Sequence, residues 1–168
     1  MKRLLILLFG LFLALHCAAA EYSLHGDSVH FSVPDDWSAI MQKTEGNPQF
    51  YAFQVRNPNA QTTLTRVSVT VNQMADRAAV EAYVQEAVRN AESSKGYKAM
   101  DGNKPVAGSL QYSADEDGQR QVYRKDFFQH DNMVVTLLCV RPQDAPAGAA
   151  WLHAYEQACA RIATDLSR

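Results

Sequence analysis

The chain has 168 residues, 47% hydrophobic and 20% charged, with 8 Gly and 6 Pro. That balance excludes disordered, collagenous and low-complexity proteins and permits one packed domain. The formal charge is −2; setting aside Lys2 and Arg3 leaves 14 of the 16 basic residues against 18 acids, a net −4. The chain therefore lacks the basic surplus of a nucleic-acid binder.

Lys2 and Arg3 precede an apolar run of 12 residues, Leu4 to Leu15, followed by His16, Cys17 and the alanines Ala18, Ala19 and Ala20. A basic start, a short apolar stretch and an A-x-A end are the signature of a secretory signal peptide. Residues 1–20 are read as a leader cleaved after Ala20, residues 21–168 as one mature domain, and the periplasm as its destination. A bilayer-spanning helix needs about 20 apolar residues, so no transmembrane helix is expected in the mature chain. Lipidation at Cys17 is the weaker alternative, because bulky His16 occupies a position that should be small.

Val29, Phe31 and Val33 alternate with Ser28, His30 and Ser32, the period of a half-buried strand. Pro34 ends it and Asp35-Asp36 turn the chain. A short strand near Trp37 to Gln42 follows, then an aromatic and β-branched strand from Phe50 to Val55, then Thr62 to Asn72, where Val67, Val69 and Val71 alternate with polar residues. From Asp76, a good N-cap, the period changes. Val80, Tyr83, Val84, Ala87, Val88 and Ala91 recur at helical spacing, which predicts a helix to about Ser94 with Gly96 as its C-terminal cap.

Strands at 106–113 and 119–129 flank Asp117-Gly118, a hairpin turn whose residues both tolerate positive φ. Met133 to Val140 is apolar on both alternating sets, as in a central strand covered on both faces. A last helix, from near Pro146 to about Leu166, places Leu152, Tyr155, Cys159, Ile162 and Leu166 on one stripe. Cys139 and Cys159 are the cysteines left after leader removal; in an oxidising compartment, with strand and helix faces both inward, they are expected to form a disulfide.

Chemistry is harder to find. The mature histidines, His25, His30, His130 and His153, lie in no recognisable catalytic context, and no nucleophile-elbow, zincin or phosphate-loop motif occurs. Asp115, Glu116 and Asp117 lack the calcium-loop order, and three adjacent acids at a hairpin tip cannot converge on one ion. Neither metal nor cofactor is expected, and no enzyme. Tyr51, Tyr112, Tyr123 and Phe128 are read as core unless a sheet face is left uncovered.

The stretch Phe31-Ser32-Val33-Pro34-Asp35-Asp36-Trp37, with the order of strands and helices around it, resembles the PsbP-like fold shared with the bacterial envelope protein DcrB. The resemblance implies an α+β fold: an antiparallel sheet of about six or seven strands packed with two main helices, as a PsbP-like sandwich. It also implies a non-catalytic assembly factor, adaptor or chaperone. By size and export the chain is further similar to immunity proteins against toxins delivered by type VI secretion, an analogy at fold level. The expected function is a periplasmic protein-binding module, most specifically an immunity protein. The alternative is a DcrB-type envelope assembly or ligand-carrier factor. The expected partner is a protein, a basic effector or an envelope client, with Asp35, Asp36, Asp115, Glu116 and Asp117 as candidate contacts.

Overall fold

The computed structural model describes residues 19–58, 65–100, 108–144 and 147–168. Among these the elements run β1 (Ala19–Leu24), β2 (Val29–Pro34), β3 (Ser38–Lys43), β4 (Gln49–Val55), β5 (Thr65–Gln73), α1 (Arg77–Glu92), β6 (Lys98–Ala99), β7 (Ser109–Glu116), β8 (Gln119–His130), β9 (Met133–Pro142) and α2 (Ala149–Leu166). A 7-stranded sheet has the order β3-β4-β5-β9-β8-β7-β6, and β1 and β2 form a separate 2-stranded ribbon. Every pairing is antiparallel, so the fold is α+β with two helices.

Period-2 patterning decides which side chains go inward. Val67, Val69 and Val71 of β5 are buried while Arg66, Ser68 and Thr70 between them are half-buried. β9 lies at the centre of the sheet between β5 and β8, which explains its continuous apolar run: both of its faces are covered. By register, Val67, Cys139 and Arg124 share one face, and Arg66, Val140 and Tyr123 the other. The first face packs against the ribbon and α2 in a core that includes Phe31, Phe53, Leu137 and Ile162. On the second face Ala91 of α1 joins Leu110, Tyr112 and Ala114 of β7. The Cys139–Cys159 disulfide ties β9 to α2, with a Cα separation of 6.6 Å. Among the described residues, no helix is long and apolar enough to cross a membrane.

The structure adjusts several expectations. β2 leaves the main sheet and pairs with β1, a strand that the sequence pattern hides beside the expected leader. Residues 1–18 lie outside the described residues, and Ala19 and Ala20 open β1 opposite Pro34 and Val33. α1 begins where expected, with the Asp76 carboxylate accepting from the Ala79 amide at 2.8 Å. Its C-cap, however, is Ser93, because the Ser93 and Ser94 hydroxyls donate to the Asn90 carbonyl at 2.9 and 3.1 Å. Gly96 serves the turn beyond, at φ +66, where an added Cβ would collide with the Asp115 carboxylate. α2 starts at Ala149, after Gly148. The expected strand starts at 62–64 and 106–107, and Pro146, fall outside the described residues.

Candidate functional site

The hairpin acids point in different directions. Asp117 and Gly118 both adopt positive φ, 51 and 79°, as the hairpin turn requires. Alternation then sends Asp115 and Glu116 to opposite faces of the sheet. Arg120 binds Asp115 at 3.0 Å and also donates to the Gly96 carbonyl at 2.5 Å and the Ser113 hydroxyl at 3.0 Å. Arg66 grips both Glu116 oxygens from one nitrogen, at 2.8 and 3.0 Å, and the Tyr123 hydroxyl donates to Glu116 at 3.1 Å. The Arg66 hydrogen bond holds the Glu116 carboxyl below the usual carboxylate range, against the opposing effect of burial. Burial, then the Glu116 charge, pushes the Tyr123 phenol up to about 12. Tyr123 stacks on Tyr112 with ring centroids 4.7 Å apart, and Tyr97 lies 5.5 Å beyond. Of the three hairpin acids, Asp117 is exposed at the tip, whereas Asp115 and Glu116 are engaged by arginines within the chain. No sequence spacing announces the Arg66–Glu116 pair, whose members are 50 residues apart.

The histidines are dispersed. His25 sits in the β1–β2 turn at φ 54, His30 is exposed on β2, His130 meets the Leu166 carbonyl at 3.1 Å, and His153 pairs with Gln157 one turn along α2 at 2.9 Å. Tyr51 and Phe128 pack on the larger core, and Tyr112 and Tyr123 belong to the smaller one.

Asp35 and Asp36 are exposed in the turn between β2 and β3, where the Trp37 amide donates to the Pro34 carbonyl at 3.0 Å. Trp37 itself turns inward, 6.0 Å from the Tyr155 ring. Asp36 borders a surface recess of about 790 Å³ with Gln54, Arg56 and Asn57. β3 then runs along the edge of the sheet with all six residues exposed. It carries Ile40 and Met41, the exposed large hydrophobic side chains among the described residues, at 45% and 59% exposure. A bulge lies between Ala39 and Met41, so Ile40 has no cross-strand partner.

A groove of about 330 Å³ lies between α2 and β7–β9, walled by Val122, Tyr155 and the Cys139–Cys159 bridge and carrying Gln111, Arg124 and Arg141. Arg141 donates to Glu156 at 3.0 Å and to the Pro142 carbonyl at 3.1 Å. Arg124 donates through Nε to Asp126 at 2.7 Å. Burial raises the Tyr155 phenol well above its ordinary value. Sequence reasoning missed this groove, because its polar groups come from three strands and a helix.

No family model matches the chain, and no match is found among curated proteins. Solved structures do match. The Ran-binding protein Mog1p of Saccharomyces cerevisiae superposes with a TM-score of 0.54 at 12% identity, over 90% of this chain and 96% of that one. PA94, a protein of unknown function from Pseudomonas aeruginosa, gives 0.48 at 18% identity over 83% and 92% of the two chains. A Bacteroides thetaiotaomicron protein gives 0.47 at 16% identity, over 81% of this chain and 45% of that one. At these identities the Mog1p likeness establishes fold alone.

Proposed function

We propose that the protein is a non-catalytic protein-binding module of the bacterial periplasm and, in its most specific form, an immunity protein that caps a toxin delivered to the envelope. β3 carries this reading. An edge strand offers backbone groups for pairing, Ile40 and Met41 offer apolar contact, and exposed acids flank it, Asp35 and Asp36 before and Glu45 after. An apolar strip between acids suits a partner with basic rims, which the acidic charge of the chain would also steer into encounter. The bulge at Ile40 restrains indiscriminate edge pairing, a recognised protection of edge strands. A DcrB-type assembly or ligand-carrier role is the second reading, favoured by the groove beside α2.

The test is to search the gene neighbourhood for a toxin and, where one is encoded, to measure protection of a susceptible strain by the full chain against it. Wild type should protect, Met41→Glu should weaken protection, and charge reversal of Asp35 and Asp36 to Lys should weaken toxin binding more at low salt than at high salt. Full protection by both variants, with expression verified, would refute the role of β3. A neighbourhood without a toxin gene would favour the envelope-factor reading.

A further inference from the structure

We propose that the groove between α2 and β7–β9 is a binding site for a small amphiphile bearing a carboxylate or phosphate head. Its volume, about 330 Å³, lies at the low end for ligand pockets, commonly about 300–1,000 Å³, so the occupant is smaller than an intact lipid. The walls combine apolar surface from Val122, the Tyr155 ring and the disulfide with a few fixed polar groups, the usual composition of such sites.

Arg124 supplies the head-group contact. A guanidinium carries five N–H donors in a rigid fork, and among the described residues the Arg124 side chain spends its Nε on Asp126 at 2.7 Å and makes no other hydrogen bond. Among the described residues neither of its Nη groups has a hydrogen-bond partner, and that edge matches two oxygens of a carboxylate or phosphate in the groove it lines. Gln111 stands directly opposite Arg124 across β7 and β8, exposed, with an amide able to donate to the same head group. Arg141 adds a second cation, 13% exposed and tied to Glu156 at the rim. Glu156 and Asp126 are each held by an arginine, so neither carboxylate stands unpaired against an incoming anion. The Tyr155 hydroxyl feels the positive charges of Arg141 and Arg124, with Glu156 opposing them. This site is separate from β3 and stands whether or not a protein partner binds there.

Isothermal titration of the mature protein with octanoate, octyl phosphate and octanol tests it. Both acids should bind saturably at one site, with octanol weaker by about tenfold or more, since hydrogen bonds to charged groups are worth about that factor. Tighter octanoate would identify a fatty-acid-like source, and tighter octyl phosphate a phospholipid-derived one. Arg124→Gln should weaken both acids about tenfold. Because that change strips buried Asp126 of its partner, Gln111→Glu provides an exposed second variant that sets a negative charge opposite Arg124. It should weaken acid binding equally while leaving the melting temperature in place. Absence of saturable binding through the millimolar range, equal affinity for octanol, or unchanged acid affinity in folded Gln111→Glu would overturn the proposal.

Discussion

The two faces of the sheet are unequally furnished. Under the ribbon and α2, one buried cluster runs from Leu24 through Phe53 and Leu137 to Leu166, and α2 commits Tyr155, Ala158, Cys159, Ile162 and Leu166 to it. On the other face the buried cluster is Ala91, Leu110, Tyr112 and Ala114, and α1 buries Val80 and Ala91. There, tyrosine stacking and the Arg66–Glu116 pair substitute for aliphatic depth. Stability is therefore expected to concentrate on the α2 side, with α1 the more readily opened element.

Leu137→Ala should show the largest effect, about 3–5 kcal/mol by urea unfolding, because Leu137 is fully buried and its neighbours cannot collapse into the void. Leu110→Ala should cost about 2 kcal/mol, as a thinner layer relaxes more easily. An equal or greater loss at Leu110 would contradict the deeper burial on the α2 face. Replacing Cys139 and Cys159 together by Ala should cost about 3 kcal/mol, the chain-entropy value for a loop of this size. Hydrogen exchange should then quicken in α2 and not in α1. The intact protein should also weigh about 2 Da less than its dithiol form, by the two hydrogens lost on S–S formation. Asp76→Ala should cost about 1 kcal/mol and accelerate exchange only in the first turn of α1.

The smallest effect is pH-dependent. Arg66 keeps Glu116 ionised below the usual carboxylate range, so the folded chain binds that proton more weakly than the unfolded chain. Its contribution is present above the ordinary carboxylate pKa, about 4.3, and is lost as pH falls through the lower folded value. Glu116→Gln should flatten the acid limb of melting temperature against pH, and an unchanged limb would contradict the pairing. At the alkaline end the Tyr123 phenol, raised to about 12, makes stability fall as pH climbs from about 10, and Tyr123→Phe should remove that component.

Local pattern carried much of this fold into view. The alternation of Val67, Val69 and Val71, the stripe from Val80 to Ala91 and the Asp117-Gly118 turn can be read from neighbours in sequence, because period and turn chemistry are local, and the Cys139–Cys159 pair from the cysteine count and the faces those patterns assign. β1 was hidden because Ala19 and Ala20 serve equally as the end of a leader, leaving too few residues to display a period. β6 has 2 residues, below any periodic signal. β3 lies where a short strand is expected, near Trp37 to Gln42; only its exposure on both faces and its place at the sheet edge, which depends on strand order, were not legible. The groove was illegible because Gln111, Arg124, Arg141 and Glu156 meet only through pairing and helix docking. Likewise, the hairpin acids gave no sign that two of them are held by Arg66 and Arg120.

The proposed export predicts that N-terminal sequencing of periplasmic protein begins at Glu21, which would leave Glu21 to Leu24 paired with Ser32 to Val29 in the ribbon. A start at a lipid-modified Cys17, or retention in the cytoplasm, would contradict the leader reading.

The proposal that this protein acts by surface contact is decided by titrating the purified protein into its proposed toxin partner, taken from the gene neighbourhood. Contact predicts an inhibition endpoint at one protein per toxin, unchanged when His25, His30, His130 and His153 are singly replaced by Gln. An endpoint far below equimolar, or loss of inhibition from one of those substitutions in a protein that circular dichroism shows to be folded, would contradict the claim and point to catalysis.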